Sequence, residues 1–402
     1  MRVLVVHNRY QQSGGEDNVV KAESDLLRDM GQDVEVWEED NHSIVRSRDA
    51  WITALRCIHS FESVLQMKEK IARFRPDLVH IHNFFPRLSP SIHRACFRAH
   101  IPVVQTLHNF RLLCPAATLQ RNGKVCEDCL EKRIPWPSIR HACYRHSRAA
   151  SATVTNMLSI HRLAGSLDRF VTRYIALSEF SRNKFIKGGI NKEKIAVKPN
   201  FVDTDPGMGP GAGRFALFVG RLSEEKGIET LLNAWRHMAR RPPLRIIGDG
   251  PLAPLVASAV ATMREIEWFG LRRRKEVLRA MAEATVLVFP STWYEGFPLV
   301  IAEAFATGLP VIASRLGAME EIVESGKTGR LFNAGDSEQL GKCVEWAFSH
   351  DEWIARMRRD ARFEFLQKYT ARANFPILEE IYQSAMEDCR SNVFEGVLQP
   401  GY

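Results

Sequence analysis

The stretch that most constrains the fold is an apolar run followed by a polar loop, a short helix and a second apolar run. Val286–Phe289 is apolar at every position, which is typical of a parallel strand buried on both faces of its sheet. A loop containing Gly296 follows, and Pro298 suits the first position of a helix because that position needs no N–H. We expect the helix to end near Gly308, and Pro310–Ala313 predicts the next strand. Such a β-loop-α-β unit predicts an α/β fold with a parallel sheet.

The same stretch carries two carboxylates, Glu295 in the loop and Glu303 on the helix. The N-terminus of a helix offers unpaired N–H groups and a partial positive charge, which suit a phosphate. A carboxylate repels phosphate, but it accepts hydrogen bonds from neighbouring hydroxyls of a sugar. The stretch therefore predicts a site for a phosphate flanked by sugar hydroxyls, as in a sugar nucleotide. The alternative is that Glu295 caps the helix and Glu303 faces water.

The length and composition indicate a globular protein of two domains. The chain has 402 residues, of which 45% are hydrophobic and 25% are charged. It has no run of about 18 apolar residues, and Met1–Val6 is too short for a signal peptide, so we expect a cytoplasmic protein without disulfides. The net charge of +8 favours anionic partners such as nucleotides, lipid phosphates or a membrane surface. We find no nucleic-acid-binding motif, so we expect no nucleic-acid partner.

Turns in the first half of the chain carry glycines and a histidine. A strand over Val3–Val6 precedes Gly14 and Gly15, where glycines allow backbone amides to approach a ligand closely. Paired glycines also occur in turns for structural reasons alone. Pro102–Thr106 predicts another strand, and His108 follows it at the sheet edge where α/β proteins bind ligands. The alternative for His108 is a structural histidine with satisfied hydrogen bonds.

The second half begins after the glycine-rich segment 205–213, which we interpret as an interdomain linker. A strand over Phe215–Val219 leads into a turn with Arg221 and Lys226, two cations that can grip a diphosphate. Surface cations are otherwise solvated, which is our expectation for Arg272–Lys275.

A further turn, G-x-G-P, contains Gly248 and Gly250. The longer pattern G-x-G-x-x-A, which ends at Ala253, is also a dinucleotide-binding fingerprint when it follows a strand. That interpretation would make the protein an NAD(P)-dependent oxidoreductase. Pro251 inside the turn fits an ordinary helix start instead.

Residues 111–148 form a basic segment that is rich in cysteine. It holds eight Lys and Arg residues against three Asp and Glu residues. Its four cysteines have the spacing C-x11-C-x2-C-x13-C, and such a set can hold a tetrahedral structural zinc ion. The alternative is four reduced thiols. The candidate zinc ligands are Cys114, Cys126, Cys129 and Cys143.

These motifs together resemble those of the family 4 (group 1) glycosyltransferases. The spacing from Glu295 to Glu303 matches the family's E-x7-E signature, and its setting after an apolar strand matches too. The turns at 220–227 and 248–251 match its G-R-x4-K-G and G-x-G-P motifs. The resemblance extends over nearly the whole chain.

The resemblance implies an α/β protein with the GT-B fold, in which two Rossmann-like domains face each other across a cleft. We expect an N-terminal acceptor-side domain over 1–204, with the cysteine-containing insertion at 111–148. A C-terminal nucleotide-sugar-binding domain is expected over 214–370. A helix at about 375–389 is expected to pack back on the first domain.

The resemblance also implies roles for single residues. His108 is expected near the reacting centre, and Glu295 is expected to hold hydroxyls of the donor sugar. The family often has Asp after that histidine, whereas this chain has Asn109, which removes one charge. The residues expected to bind the substrate are Gly14, Gly15, Arg221, Lys226, Gly248, Gly250, Glu295, Gly296, Phe297 and Glu303.

The implied reaction is retaining transfer of a sugar from a UDP- or GDP-linked donor to a hydroxyl acceptor, without a catalytic metal. Family habit and the positive charge favour a saccharide or lipid-linked acceptor in bacterial surface polysaccharide or glycolipid biosynthesis, with peripheral contact to the inner membrane face. The alternatives are a nucleotide-sugar epimerase or a phosphorylase on the same fold, and the oxidoreductase named above. We expect structural zinc as the sole resident metal, if the cysteines bind one.

Overall fold

The structure is a computed structural model that describes residues 1–9, 15–40 and 56–397. The predicted site residue Gly14 lies outside these described residues. The chain divides into two compact units. The first unit comprises Met1–Leu119, Cys126–Pro199 and Asn374–Tyr402, and the second comprises Gln120–Val125 and Asn200–Ala373.

The first unit is built on a parallel sheet whose central strands are buried along most of their length, with polar as well as apolar side chains at the buried positions. The strands up to residue 200 are β1 (Arg2–Arg9), β2 (Asp33–Asp40), β3 (Leu78–Asn83), β4 (Val103–Leu107), β5 (Gln120–Arg121), β6 (Lys124–Val125), β7 (Arg173–Ala176) and β8 (Ile195–Val197). Six of them form the sheet in the order β2-β1-β3-β4-β7-β8, with parallel neighbours. The pair β5 and β6 forms a separate antiparallel hairpin.

Helices connect these strands, and serine side chains cap several of them. The helices in this part are α1 (Gly15–Asp29), α2 (Phe61–Phe74), α3 (Ser91–Arg98), α4 (Pro137–Arg140), α5 (Arg148–Leu163), α6 (Ser166–Phe170) and α7 (Glu179–Lys187). Ser60, Ser147 and Ser178 each accept a hydrogen bond from a backbone N–H of the first turn of the following helix. Such caps satisfy an N–H that would otherwise lack a partner.

The second unit repeats the parallel arrangement. Its longer strands are β9 (Ala216–Val219), β10 (Leu244–Ile247), β11 (Ile266–Trp268), β12 (Val286–Phe289), β13 (Val311–Ser314) and β14 (Gly329–Phe332). They are ordered β11-β10-β9-β12-β13-β14, all parallel. Its helices are α8 (Ile228–His237), α9 (Ala253–Thr262), α10 (Arg274–Glu283), α11 (Leu299–Ala306), α12 (Ala318–Ile322), α13 (Ser337–Ser349) and α14 (Asp351–Lys368).

The last helix, α15 (Ala371–Val397), returns to the first unit. Its Leu378, Ile381 and Tyr382 belong to the same buried cluster as Val3 and Val5 of β1. Burial of apolar surface of this kind stabilises the fold by about 25 cal/mol per Å². The first strand and the last helix therefore share one core.

The segment interpreted as a linker, residues 205–213, packs on the second unit. The chain passes from the first unit to the second at Pro199 and Asn200, before residues 205–213. Gly209 donates a backbone hydrogen bond to Thr307 O at 3.0 Å, and Gly211 donates one to Ala282 O at 2.9 Å. The glycines let this segment lie close to helix ends of the second unit, so it is part of that unit.

In the described part of the chain, no helix is both long enough and apolar enough to span a bilayer.

Candidate functional site

In the second unit, two loops at the carboxyl ends of β9 and β12 lie against each other. Gly227 has a φ of 73°, and a Cβ atom there would overlap Pro290 O. The N–H of Thr292 donates to Glu225 O at 2.9 Å. A residue with a side chain at position 227 would push the two loops apart, so the glycine sets their spacing.

The turn after β10 is held to the same place by its two glycines. A Cβ atom on Gly248 would overlap Gly220 O, and one on Gly250 would lie 2.6 Å from Leu222 O. The backbone of this turn thus packs directly on the loop that carries Arg221. This contact explains the G-x-G pattern without a dinucleotide, which removes the main support for an oxidoreductase.

Close approach of these loops pairs Lys226 with Glu295. Nζ of Lys226 lies 2.6 Å from Oε1 of Glu295, and Ser291 Oγ and Trp293 Nε1 also donate to that oxygen at 3.0 and 2.7 Å. Glu295 is buried, with 8% of its surface exposed. Three donors therefore fix one carboxylate oxygen and leave Oε2 without a bond from the described residues, as an acceptor for hydroxyls.

Glu303 has a partner that the sequence did not predict. Nε of Arg274 donates to Oε1 of Glu303 at 3.0 Å, and another nitrogen of Arg274 lies 2.6 Å from Asp203 Oδ1. Arg272–Lys275 is exposed, as expected, and Arg274 forms these two ion pairs in addition. Burial raises the pKa of Glu303 above its usual value, although the guanidinium of Arg274 opposes this shift. A carboxylate held by one arginine retains acceptor capacity for a diol.

The remaining predicted residues of this unit differ in exposure. Arg221 is exposed, and its side chain has no bonded partner among the described residues. Phe297 is buried, and its ring lies 5.6 Å from the ring of Tyr369. Phe297 therefore has a packing role. The sequence alone could not distinguish this role from the predicted contact with substrate.

In the first unit, His108 ends a row of buried polar side chains. Its Nε2 lies 2.9 Å from Nδ1 of His82, and Nε2 of His82 lies 3.4 Å from Oε1 of Glu23. The other oxygen of Glu23 is 2.7 Å from Nζ of Lys198. His108 is half-buried, whereas the other three are buried. The structure thus connects His108 to a buried ion pair.

Glu23 and Lys198 were not predicted from the sequence as part of a site. In α1 the buried positions are Val19, Val20, Glu23, Ser24, Leu26 and Leu27. Glu23 thus stands on the apolar face of an amphipathic helix, at the spacing of core residues. A carboxylate at such a position is the signal that could have marked it, because charged residues are rarely buried without a partner.

Acidic residues lie at the start of α1, next to Gly15. A Cβ atom on Gly15 would meet nothing within 4 Å, so packing among the described residues does not require glycine there. Asp17 lies 2.8 Å from Nε2 of the buried His7. Burial, with the nearby charge of Asp17, raises the pKa of Glu16 to about 8 against the opposing effect of Arg111. Glu16 is therefore largely protonated at neutral pH.

The four cysteines of the basic segment are free thiols that lie near one another. Burial raises the pKa of the Cys129 thiol to about 12, and its three partners Cys114, Cys143 and Cys126 add to the shift. Among the described residues these sulfurs do not form a set as close as Glu23, His80 and His82, whose ligand atoms all lie within 4.8 Å of one another. The zinc assignment stays a prediction.

A cavity of about 470 Å³ lies elsewhere in the first unit. Leu113, Arg162, Tyr174 and Gly188 are among the residues that line it. It contains none of the predicted site residues, and the nitrogens of Arg162 are bonded to backbone carbonyls. We assign it no role.

Comparison with known proteins decides the family. Residues 13–206 match the family described as Glycosyltransferase Family 4, and residues 213–350 match the family described as Glycosyl transferases group 1. The chain belongs to the group 1, family 4 glycosyltransferases. The two matches cover residues of both parallel sheets. They confirm the resemblance to this family that the sequence motifs indicated.

Curated relatives are similar to this chain over only part of their own length. Sulfoquinovosyl transferase SQD2 of Arabidopsis thaliana is 35% identical over 176 residues, which are 42% of this chain and 33% of that protein. The putative colanic acid biosynthesis glycosyltransferase WcaL of Escherichia coli (strain K12) is 27% identical over 229 residues, 52% of this chain and 56% of that protein. The chain thus spans about half the length or less of these relatives.

Solved structures establish the fold. HepE from Anabaena, solved in complex with UDP, has a TM-score of 0.66 with this chain at 18% identity, over 95% of this chain and 100% of that chain. Together with the two parallel-sheet units, this likeness confirms the predicted GT-B fold.

Proposed function

We propose that this glycosyltransferase family member transfers a sugar from a nucleotide-sugar donor to a hydroxyl acceptor, with retention of the anomeric configuration. The observation that carries the proposal is the pairing of Lys226 with the buried Glu295 at the meeting of two loops. A phosphate-binding cation beside a fixed hydroxyl acceptor matches the junction of diphosphate and sugar in such a donor.

The second unit would bind the donor. Arg221, which is exposed, and Lys226 would contact the diphosphate, whose charge grows as the sugar departs. Glu303 would accept hydrogen bonds from the two ribose hydroxyls while Arg274 holds its position. Glu295 would use Oε2 to accept a bond from the sugar.

In the reaction, the bond from the anomeric carbon to the diphosphate oxygen breaks and a bond to the acceptor oxygen forms. The acceptor proton leaves with the diphosphate, which is then the nucleoside diphosphate product. We assign no side chain as a covalent nucleophile, so Arg221 and Lys226 supply the main stabilisation by neutralising the leaving group.

The first unit would bind the acceptor. Gly15 would donate its amide to a phosphate, and His108 would contact a reacting hydroxyl. The exposed basic residues Arg133, Arg140 and Arg145 favour an anionic or lipid-linked saccharide, such as a growing surface polysaccharide, at a membrane surface. The relative named for colanic acid biosynthesis supports that class of acceptor.

We expect a UDP-sugar or a GDP-sugar to raise the melting temperature, whereas an ADP-sugar should not. A ligand at 100 times its Kd stabilises the folded state by about 2.7 kcal/mol. Differential scanning fluorimetry with the three nucleotide series measures this shift, and Glu303→Ala should abolish it. Exposed Glu338→Ala, on α13, is the matched control that should keep it. No shift with any sugar nucleotide would contradict the proposal.

Transfer itself is tested by incubating a stabilising donor with saccharide acceptors and assigning the anomeric configuration of the product by NMR. An inverted product would overturn retention alone. Conversion of the donor without any acceptor would indicate the epimerase, and a requirement for inorganic phosphate would indicate the phosphorylase.

We further propose that Cys114, Cys126, Cys129 and Cys143 hold one structural zinc ion. Four thiolates are a common donor set for zinc, and binding would draw the sulfurs to a tetrahedral arrangement. The guanidinium of Arg162 lies close enough to Cys129 and Cys114 for their charges to act on it, so it would offset the negative charge of the thiolates. The ion would order the basic segment and take no part in the chemistry.

The double variant Cys126→Ser/Cys129→Ser should lose the metal and the transfer to acceptor, but keep nucleotide binding by the second unit. Elemental analysis of protein prepared without chelators should give about one zinc per wild-type chain, as expected for one four-ligand site. Cys343→Ser, in the second unit, is the control and should keep both. Metal-free wild-type protein with full activity would contradict the zinc proposal and show that the four cysteines are ordinary thiols.

A further inference from the structure

The side chains of Lys198, Glu23, His82 and His108 form a row along which hydrogens can be donated in one direction. The proposed function does not use this direction. Lys198 and Glu23 form a buried ion pair at one end, and the half-buried His108 stands at the other. Every link in the row is between side chains, at 2.7, 3.4 and 2.9 Å in that order. The groups at the two ends determine which ring nitrogens carry the hydrogens.

Glu23 is ionised, which fixes one end of the row. Burial opposes its charge, but the ammonium of Lys198 and hydrogen bonds to His80 and His82 outweigh burial and hold the pKa of Glu23 well below its usual value. An ionised carboxylate only accepts hydrogen bonds. Lys198 only donates, and it also donates to Asn374 Oδ1 at 3.0 Å.

His82 is neutral and carries one N–H. Burial and the neighbouring His80 lower its pKa to about 3. Oε1 of Glu23 and Nε2 of His82 are both buried and 3.4 Å apart, and within the described residues neither atom has a partner at hydrogen-bond geometry. Oε1 of Glu23 also lies 3.1 Å from Nδ1 of His80. If Nε2 lacked a hydrogen, two buried lone pairs would face each other, which is costly. The hydrogen therefore lies on Nε2, and Nδ1 of His82 accepts a bond from Nε2–H of His108.

We propose that Glu23, acting through His82, fixes the tautomer of His108 so that its Nδ1 accepts a hydrogen bond from a substrate hydroxyl. Glu23, His82 and Lys198 are then positioning residues, and His108 is the group that touches substrate. The assignment of the tautomer does not depend on the proposed function, while the identity of the hydroxyl rests on the proposed glycosyl transfer. Nδ1 of His108 has no partner among the residues that the structure describes.

A metal ion fits this place less well than a hydrogen-bonded row. Both ring nitrogens of His80 are already bonded, to Tyr382 OH at 2.7 Å and to Thr106 Oγ1 at 2.8 Å. The ammonium of Lys198 lies 2.7 Å from Glu23 and repels a cation. The close set Glu23, His80 and His82 is therefore assigned to hydrogen bonding.

Replacing Glu23 by Gln is expected to reverse the row. Lys198 demands an acceptor, so the amide oxygen turns towards it and the NH2 group faces Nε2 of His82. His82 then carries its hydrogen on Nδ1 and donates to Nε2 of His108. His108 must consequently carry its own hydrogen on Nδ1, where it can no longer accept a bond from a hydroxyl.

Two-bond ¹H–¹⁵N correlation spectra of the histidine rings report which nitrogen carries the hydrogen. We expect His108 to be protonated on Nε2 in the wild type and on Nδ1 in Glu23→Gln. The kcat of the variant should fall by about 10- to 100-fold, as for the loss of one hydrogen bond, while the donor Kd stays within about twofold. In Glu23→Gln/Lys198→Met the amide is free to turn back, so the wild-type tautomer and part of kcat should return.

Glu35→Gln is the matched control, because Glu35 pairs with Lys70 and Arg73 at the surface and should leave the His108 tautomer unchanged. A hydrogen on Nδ1 of His108 in the wild type would overturn the proposal, even if no variant folds. An unchanged tautomer in folded Glu23→Gln would overturn it too. Absence of transfer by wild-type protein with the expected tautomer would instead count against the proposed function.

Discussion

Replacing Lys226 by Ala is expected to lower kcat/KM for glycosyl transfer by on the order of 10²- to 10³-fold, as when one preorganised group is removed from a developing charge. The variant removes the cation proposed to contact the diphosphate and also the partner of the buried Glu295 at 2.6 Å. Affinity for a nucleoside diphosphate should fall more than affinity for the monophosphate, because the proposed contact of Lys226 is to the outer phosphate. Steady-state kinetics and calorimetric titration with both nucleotides measure these effects.

Loss of stability must be separated from loss of binding, because the single variant leaves a carboxylate without its counter-charge. The double variant Lys226→Ala/Glu295→Gln removes both charges, so its melting temperature should return towards wild type while activity stays low. Glu303→Ala should weaken binding of both nucleotides, since the proposed contact of Glu303 is to ribose. If folded Lys226→Ala binds nucleotides with wild-type affinity, Lys226 is not part of the nucleotide site.

Replacing His108 by Ala is expected to cut kcat by on the order of 10²-fold and to leave the donor Kd nearly unchanged. The reason is that a contact made mainly in the transition state appears in kcat rather than in ground-state binding. Burial and the neighbouring His82 hold the pKa of His108 well below its usual value, so the wild-type ring acts in its neutral form at neutral pH. Single-turnover kinetics together with donor titration separate the two constants.

His237→Ala is the control for this variant, because His237 is an exposed histidine at the end of α8. It should match wild type in both constants. A folded His108→Ala variant with wild-type kcat would make His108 a structural residue, and a raised donor Kd with unchanged kcat would move its contact to the bound donor.

Patterns within short stretches of sequence predicted the fold. The apolar run Val286–Phe289 is strand β12 as predicted, and the second run, Pro310–Ala313, lies within one residue of strand β13. Pro298 precedes the helix that it was expected to begin, which is a shift of one position. Such patterns succeed because a buried parallel strand needs a continuous apolar run, whatever its neighbours are.

The sequence also marked glycines in these turns, but only the tertiary structure explains why glycine is needed there. Gly227 and Gly248 mark turns in the sequence, and any turn could have used them. In the structure each lies where the backbone of a neighbouring loop leaves no room for a Cβ atom. That requirement depends on which strands are neighbours, β9 with β10 and β12, and no local pattern contains the order of strands.

By itself, the sequence determined the α/β class, the family motifs and the residues Lys226, Glu295, Glu303 and His108 as candidates. The tertiary structure alone decided their partners: Glu295 for Lys226, Arg274 for Glu303, and the row from Lys198 and Glu23 to His108. Glu23 and Lys198 are 175 positions apart in the chain. The physical reason is that most charged side chains are exposed to solvent, so a charged residue in the sequence does not reveal a partner. A buried pair forms only where long-range packing brings a second charge within a few ångströms.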